Sequence, residues 1–132
     1  TRYCDDMTFS GDFNISQVIT LVKSELLKNN FILNKKKIKV ICANKPQIVT
    51  GIVCNVKLTV PRVYKKKIRQ EIYYINKFGL NSHLQFQKYN IEAPLYLNKL
   101  YGKILFVLQI EKNNQEFLKY RKIILNLKEK YN

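Results

Sequence analysis

The stretch Thr1-Arg2-Tyr3-Cys4-Asp5-Asp6-Met7-Thr8-Phe9-Ser10 decides how the rest of the chain is read. Residues 1–4 and 7–10 are short extended segments, and their spacing predicts a tight hairpin with Asp5-Asp6 at the bend. Two-residue hairpin loops favour Asn-Gly or Asp-Gly, because the loop residues take positive φ. Asp-Asp is a poorer turn former, which points to a chemical reason for the pair. Adjacent carboxylates repel each other unless a cation lies between them. Mg²⁺ takes one or two carboxylates together with phosphate oxygens and water. A solvated turn is the other reading of the same two residues, since Asp is common in turns.

Outside this acidic head the chain is basic. Residues 1–12 hold one Arg and three Asp, a net of −2, while residues 13–132 hold 23 Lys+Arg and six Glu, a net of +17. A chain of 132 residues with net charge +15 fits one domain, or two small subdomains, with a polyanionic partner. With 46% hydrophobic residues it also has enough apolar side chains for a core, which excludes a disordered basic tail. Cys4, Cys42 and Cys54 are odd in number and lack CxxC spacing. They argue against a disulfide framework or a zinc module and for a reducing cytosol. The single histidine, His83, has no ligand cluster in sequence and reads as a surface or packing residue. The strongest apolar run, Ile104 to Ile110, is far shorter than the roughly 20 residues that span a bilayer.

Residues 14–30 carry a helical stripe of Ile15, Val18, Ile19, Val22 and Leu26, with an Asn14-x-x-Gln17 capping box and a stop at Asn29-Asn30. Residues 37–42 alternate like a strand, and Lys45-Pro46 reads as a turn. Residues 48–55 are rich in β-branched side chains and read as extended, with Gly51 allowing a bulge; residues 57–60 continue them. Pro61 opens a helix over 62–78, which ends at Gly79 and has Tyr64, Ile68, Ile72 and Ile75 as its apolar stripe. Residues 81–93 give a mixed pattern. Pro94 opens a helix to about Glu111, weakened by Gly102. A last helix over 114–131 places Phe117, Tyr120, Ile124, Leu127 and Tyr131 on one side. The expectation is an α+β chain, with a mixed head over residues 1–60 and a helical tail over 61–132.

Three segments in this order resemble reverse transcriptases of the bacterial retron type. Tyr3-Cys4-Asp5-Asp6-Met7-Thr8-Phe9-Ser10 resembles their YxDD catalytic hairpin. Asn30-Phe31-Ile32-Leu33-Asn34-Lys35-Lys36-Lys37 resembles the G-F-x-L-N-x-x-K segment that follows it. Val49-Thr50-Gly51-Ile52-Val53-Cys54-Asn55 resembles their VTG signature, and Val60-Pro61-Arg62 with Ile68-Arg69 resembles the start of their thumb. Two positions depart from the pattern: Asn30 stands where Gly is usual, and Tyr73-Tyr74 where Leu-His is more usual.

The resemblance implies the end of a right-hand polymerase palm (hairpin, helix, short antiparallel strands) over 1–60 and an α-helical thumb over 61–132. The complete enzyme is an RNA-directed DNA polymerase of the bacterial cytoplasm. It extends a primer 3′-OH on a structured RNA template with dNTPs and two Mg²⁺ ions. Asp5 and Asp6 are implied as metal-binding carboxylates, Lys37 as the palm lysine suggested to protonate leaving pyrophosphate, and Tyr3 as support for the primer terminus. Val49, Thr50 and Gly51 are implied in recognition of the structured RNA. The thumb cations Arg62, Lys65, Lys66, Lys67 and Arg69 are implied in contact with the RNA–DNA duplex. The family's fingers and a further metal-binding Asp precede this stretch, in cis or on a separate chain, so the expectation is that these 132 residues alone are inactive.

Two other classes share some of these features. A non-catalytic RNA-binding module descended from such an enzyme keeps the basic tail and the VTG region. A basic membrane-surface protein explains the charge but not the hairpin. The lysine run at 65–67 reads equally as a solvated helix face.

Overall fold

The computed structural model describes residues 1–87 and 91–131. Among them are five α-helices and two small antiparallel strand pairs, a mixed α+β architecture. The chain packs as two compact units, residues 1–45 and 46–132, which part ahead of the change in composition at Pro61.

In the first unit β1 (Arg2–Tyr3) pairs antiparallel with β2 (Asp6–Met7), in the register Arg2↔Met7 and Tyr3↔Asp6. The loop is therefore Cys4-Asp5, one residue earlier than expected, and Asp6 belongs to a strand. Helix α1 (Ile15–Lys28) starts where expected: Asn14 Oδ1 accepts from the Gln17 N–H at 3.2 Å. Its other end accounts for Asn30. The Phe31 N–H donates to the Leu26 carbonyl (2.9 Å) and the Asn30 N–H to that of Leu27 (3.1 Å). This is a Schellman cap, whose C′ residue must be left-handed. Asn30 has φ 60°, a conformation Asn tolerates better than most residues and Gly best. The strand expected over 37–42 is absent. Asn34 instead caps a 3₁₀ turn over Lys35–Lys37, accepting from the Lys36 N–H at 3.1 Å. Alternation alone makes no strand: the backbone after this turn is extended at Ile38 (φ −66°, ψ 127°) but has no strand partner among the described residues. The turn expected at Lys45-Pro46 lies earlier, closed by the Lys45 N–H to the Cys42 carbonyl at 3.0 Å. No residue of this unit is buried.

The second unit opens with a hairpin, not the single extended stretch expected. Strand β3 (Ile48–Val49) pairs with β4 (Ile52–Val53) around Thr50-Gly51. Thr50 has φ 47° and Gly51 φ 84°, the double positive φ of a type I′ turn. Asn55 closes the base, where its Oδ1 accepts from the Gln47 N–H at 2.8 Å, and Thr59 bridges to Val53. Thr50 is β-branched, so left-handed backbone there costs about 1–3 kcal/mol. Thr50→Asn is expected to raise the unfolding free energy by about 1 kcal/mol. Equilibrium denaturation checks this, and an unchanged or lower value would show that position 50 stores no strain.

Helices α2 (Arg62–Phe78), α3 (Leu80–Phe86), α4 (Ala93–Ile110) and α5 (Gln115–Tyr131) build the core. Gly79, at φ 82°, ends α2 and starts α3, a helix the mixed pattern over 81–93 did not reveal; residues 88–90 of that pattern lie outside the described residues. On α4, Leu97, Leu100, Ile104 and Val107 recur at the 3-and-4 spacing of a packing seam and are fully buried, as are Phe117 and Ile124 on α5. Ile68, Ile72 and Ile75 bring α2 into the same core. Each such side chain contributes about 1.5–3 kcal/mol on leaving water. Gly102 sits in α4 with no atom near the position of a Cβ, so nothing in the packing requires glycine there.

Candidate functional site

The hairpin at residues 2–7 gives a physical reason for the Y-x-D-D spacing. Tyr3 and Asp6 are directly opposed across the ladder, so their side chains leave the same face of the ribbon. Asp5 occupies the second loop position. The ladder extends one pair further: the Thr8 N–H donates to the Thr1 carbonyl at 2.9 Å and the Thr1 nitrogen to the Thr8 carbonyl at 2.8 Å. Cys4 takes the first loop position at φ 50° and is the one loop residue with positive φ, as in a type II′ turn, where glycine is usual. Both carboxylates are exposed, and among the described residues neither has a Lys or Arg within ion-pair distance.

The donors suit a hard cation in type but not in number. Asp5 and Asp6 supply anionic oxygens, whereas no group of three or more His, Cys, Asp or Glu residues is placed to hold a metal among the described residues. Mg²⁺ held here would complete its shell with water, phosphate oxygens or a carboxylate from elsewhere. Lys37 ends the 3₁₀ turn of the same unit and makes no hydrogen bond or ion pair with Asp5 or Asp6 among the described residues.

The second unit holds the remaining candidates. Val49, Thr50 and Gly51 form the tip of the β3–β4 hairpin. On α2 the cations divide into two sets. Lys65 donates to Glu111 Oε1 at 2.7 Å, with only 17% and 11% of the two side chains exposed. Arg69 grips both oxygens of Glu116, Nε to Oε1 and Nη2 to Oε2, each at 2.7 Å. These two cations tie α2 to the C-cap of α4 and the first turn of α5 and are already neutralised. Arg62, Lys66 and Lys67 remain exposed. The one carboxylate of α2, Glu71, faces the packed side and accepts from Lys103 at 3.0 Å.

Sequence reasoning missed a buried polar chain. His83 is 3% exposed, and its Nε2 lies 3.0 Å from the Tyr96 hydroxyl, which donates to Glu71 Oε2 at 2.9 Å. Because the tyrosine spends its one proton on Glu71, His83 must donate from Nε2. Burial pushes the His83 pKa below its ordinary value, partly opposed by Glu71. Its partners stand 12–13 residues away in sequence or on another helix, so no local spacing announces them.

Concavity adds nothing to the hairpin. A groove of about 460 Å³ runs along α5, lined by residues that include Leu118, Lys119, Lys122 and Leu125, and holds neither carboxylate. Among the described residues no helix is long and apolar enough to cross a membrane. Comparison with family models, curated proteins and solved structures found no match for this chain.

Proposed function

We propose that this chain is the last part of the palm and the thumb of a retron-type RNA-directed DNA polymerase. The observation that carries the reading is the YxDD segment itself. It folds as a hairpin with Tyr3 opposite Asp6, with both carboxylates exposed and, among the described residues, neither in an ion pair. Such an ion pair would compete with a metal. In this reading Asp5 and Asp6 hold Mg²⁺, which stabilises the charge that develops on the transferred phosphoryl group. Tyr3 lies beside Asp6 to support the primer terminus, and Lys37 is the candidate proton donor. The exposed cations Arg62, Lys66 and Lys67 engage the sugar–phosphate backbone of the RNA–DNA duplex, which a thumb reads by shape more than by base edges. Lys65 and Arg69 leave that role and brace the thumb.

Mn²⁺ serves as the probe of the hairpin. In a titration of the 132-residue chain followed by NMR, the amide signals of residues 4–7 should broaden first and recover on excess Mg²⁺. Asp5→Asn and Asp6→Asn should abolish the effect. Uniform broadening, or selective broadening elsewhere, overturns the assignment.

A non-catalytic RNA-binding module derived from such an enzyme is the second reading. It would use the same exposed cations of α2 without any need for metal at Asp5 and Asp6. DNA synthesis by the chain joined to fingers and the rest of the palm separates the two readings.

A further inference from the structure

We infer that the C-terminal end of α2 is a stacking platform for an unpaired nucleotide beside a duplex, a specificity that rests on the nucleic-acid reading of the same helix. Arg62, Lys66, Gln70, Tyr73 and Lys77 recur at intervals of three or four residues and all are exposed. They therefore form one outward stripe about 22 Å long, without a carboxylate. Its first two thirds offer cations and an amide, which suit phosphates. Its last third differs in kind. Lys77 Nζ lies 5.5 Å from the ring centroid of Tyr73 and 5.3 Å from that of Phe78, and 3.1 Å from the Tyr73 hydroxyl. Both rings are more than half exposed, at 54% and 55%.

The cation–π contacts and the lysine's place at a helix C-terminus account for the ammonium. They do not account for two large rings left in water around one ammonium. These rings are also held from behind. Phe78 stacks on Tyr74 (6.1 Å, 29° between planes), and Tyr74 stacks on His83 (6.0 Å, 23°). His83 in turn is fixed by the Tyr96–Glu71–Lys103 chain. The platform is preorganised by a buried network, so a base settling on it loses little ring entropy. Base pairs inside a duplex are stacked on both sides and offer such rings no face, whereas an unpaired base can be splayed onto them, and stacking on an aromatic side chain tolerates any sequence. Aromatic faces next to an ammonium and in line with a cationic stripe match a base with its phosphate. An apolar protein surface would leave those cations unpaired.

The test compares affinities of the 132-residue chain for three probes by fluorescence anisotropy. One is a blunt RNA hairpin of about twelve base pairs. The others carry about four unpaired nucleotides at the 3′ or the 5′ end, with 2-aminopurine next to the duplex. At least one overhang should bind about tenfold more tightly than the blunt probe, with quenching of the 2-aminopurine. Tyr73→Leu and Phe78→Leu should remove most of that gain and leave blunt-duplex affinity within about twofold, with helical melting by circular dichroism unchanged. Lys66→Ala should weaken all three probes alike. Equal affinity for the three probes, or a gain retained when both rings are replaced, overturns the platform while leaving duplex binding standing. Failure to bind any probe overturns the nucleic-acid reading and the platform with it.

Discussion

Asp6→Asn, and separately Asp5→Asn, should lower RNA-templated DNA synthesis about a thousandfold or more when this chain is joined to the fingers and the rest of the palm. An amide keeps the size of the carboxylate and removes the charge that would hold Mg²⁺ in the proposed mechanism. A metal that neutralises developing charge on phosphate supplies several kcal/mol in the transition state, and about 4 kcal/mol corresponds to about a thousandfold in rate. Folding should be nearly untouched. Both side chains are exposed and make no ion pair among the described residues, so the stability change should fall within about 0.5 kcal/mol. The expected signature is a large loss in turnover with an unchanged denaturation curve. Near-normal synthesis by either variant would remove that residue from the mechanism.

Glu111→Ala should be the most damaging single change to the helical unit outside its apolar core. The Glu111 carboxylate accepts from the Val60 N–H at 3.0 Å and from Lys65 at 2.7 Å on Oε1, and from Asn114 at 2.8 Å on Oε2. It thereby fastens the entry to α2 onto the end of α4. Removing one partner of a buried ion pair costs about 3–5 kcal/mol, because the other charge is left unpaired. Lys65 retains some access to water, which places the expected loss near about 3 kcal/mol. Urea denaturation followed by circular dichroism checks it, and a loss below about 1 kcal/mol would mean that the pair is solvated and weak. The same groups set the acid limit of stability. Burial would raise the Glu111 pKa, but the bonds from Lys65, Val60 and Asn114 outweigh it and hold the carboxyl below its usual range. Glu116 is lowered too, chiefly by its bond from Arg69. A depressed carboxyl stabilises the fold above its unfolded value and loses that contribution as pH falls through the folded one. Stability should therefore drop below about pH 4.5. His83 acts earlier: it is held neutral by burial, so its contribution begins to fade as pH falls below about 6.5.

Four of the five helices are legible because their signals are local, whereas α3 (Leu80–Phe86) lies in a stretch without a clear apolar period. Asn14, Pro61, Gly79 and Pro94 mark helix ends through backbone geometry that each residue type favours. The stripe Ile68–Ile72–Ile75 and the seam through Phe117 and Ile124 follow from helical period. What stayed hidden was set by contacts between distant residues or by strain. Thr50 and Cys4 adopt positive φ, which neither residue type advertises, so one hairpin looks in sequence like a continuous strand and the loop of the other looks one residue later than it is. Residues 37–42 alternate correctly, but strand formation needs a partner that alternation does not supply. Lys65 and Arg69 looked like free cations because their carboxylates lie 46 and 47 residues away. In the candidate site, Tyr3, Asp5 and Asp6 were legible as one hairpin. The pairing of Tyr3 with Asp6 emerged only from the register.

Primer extension is the most direct test of the polymerase reading. A polypeptide that joins this chain to fingers and the rest of the palm is given an RNA template, an annealed DNA primer, dNTPs and Mg²⁺. The account predicts template-length DNA from that polypeptide and none from the 132 residues alone. Synthesis by the 132 residues alone, or a folded, RNA-binding polypeptide that adds no nucleotide, would contradict it.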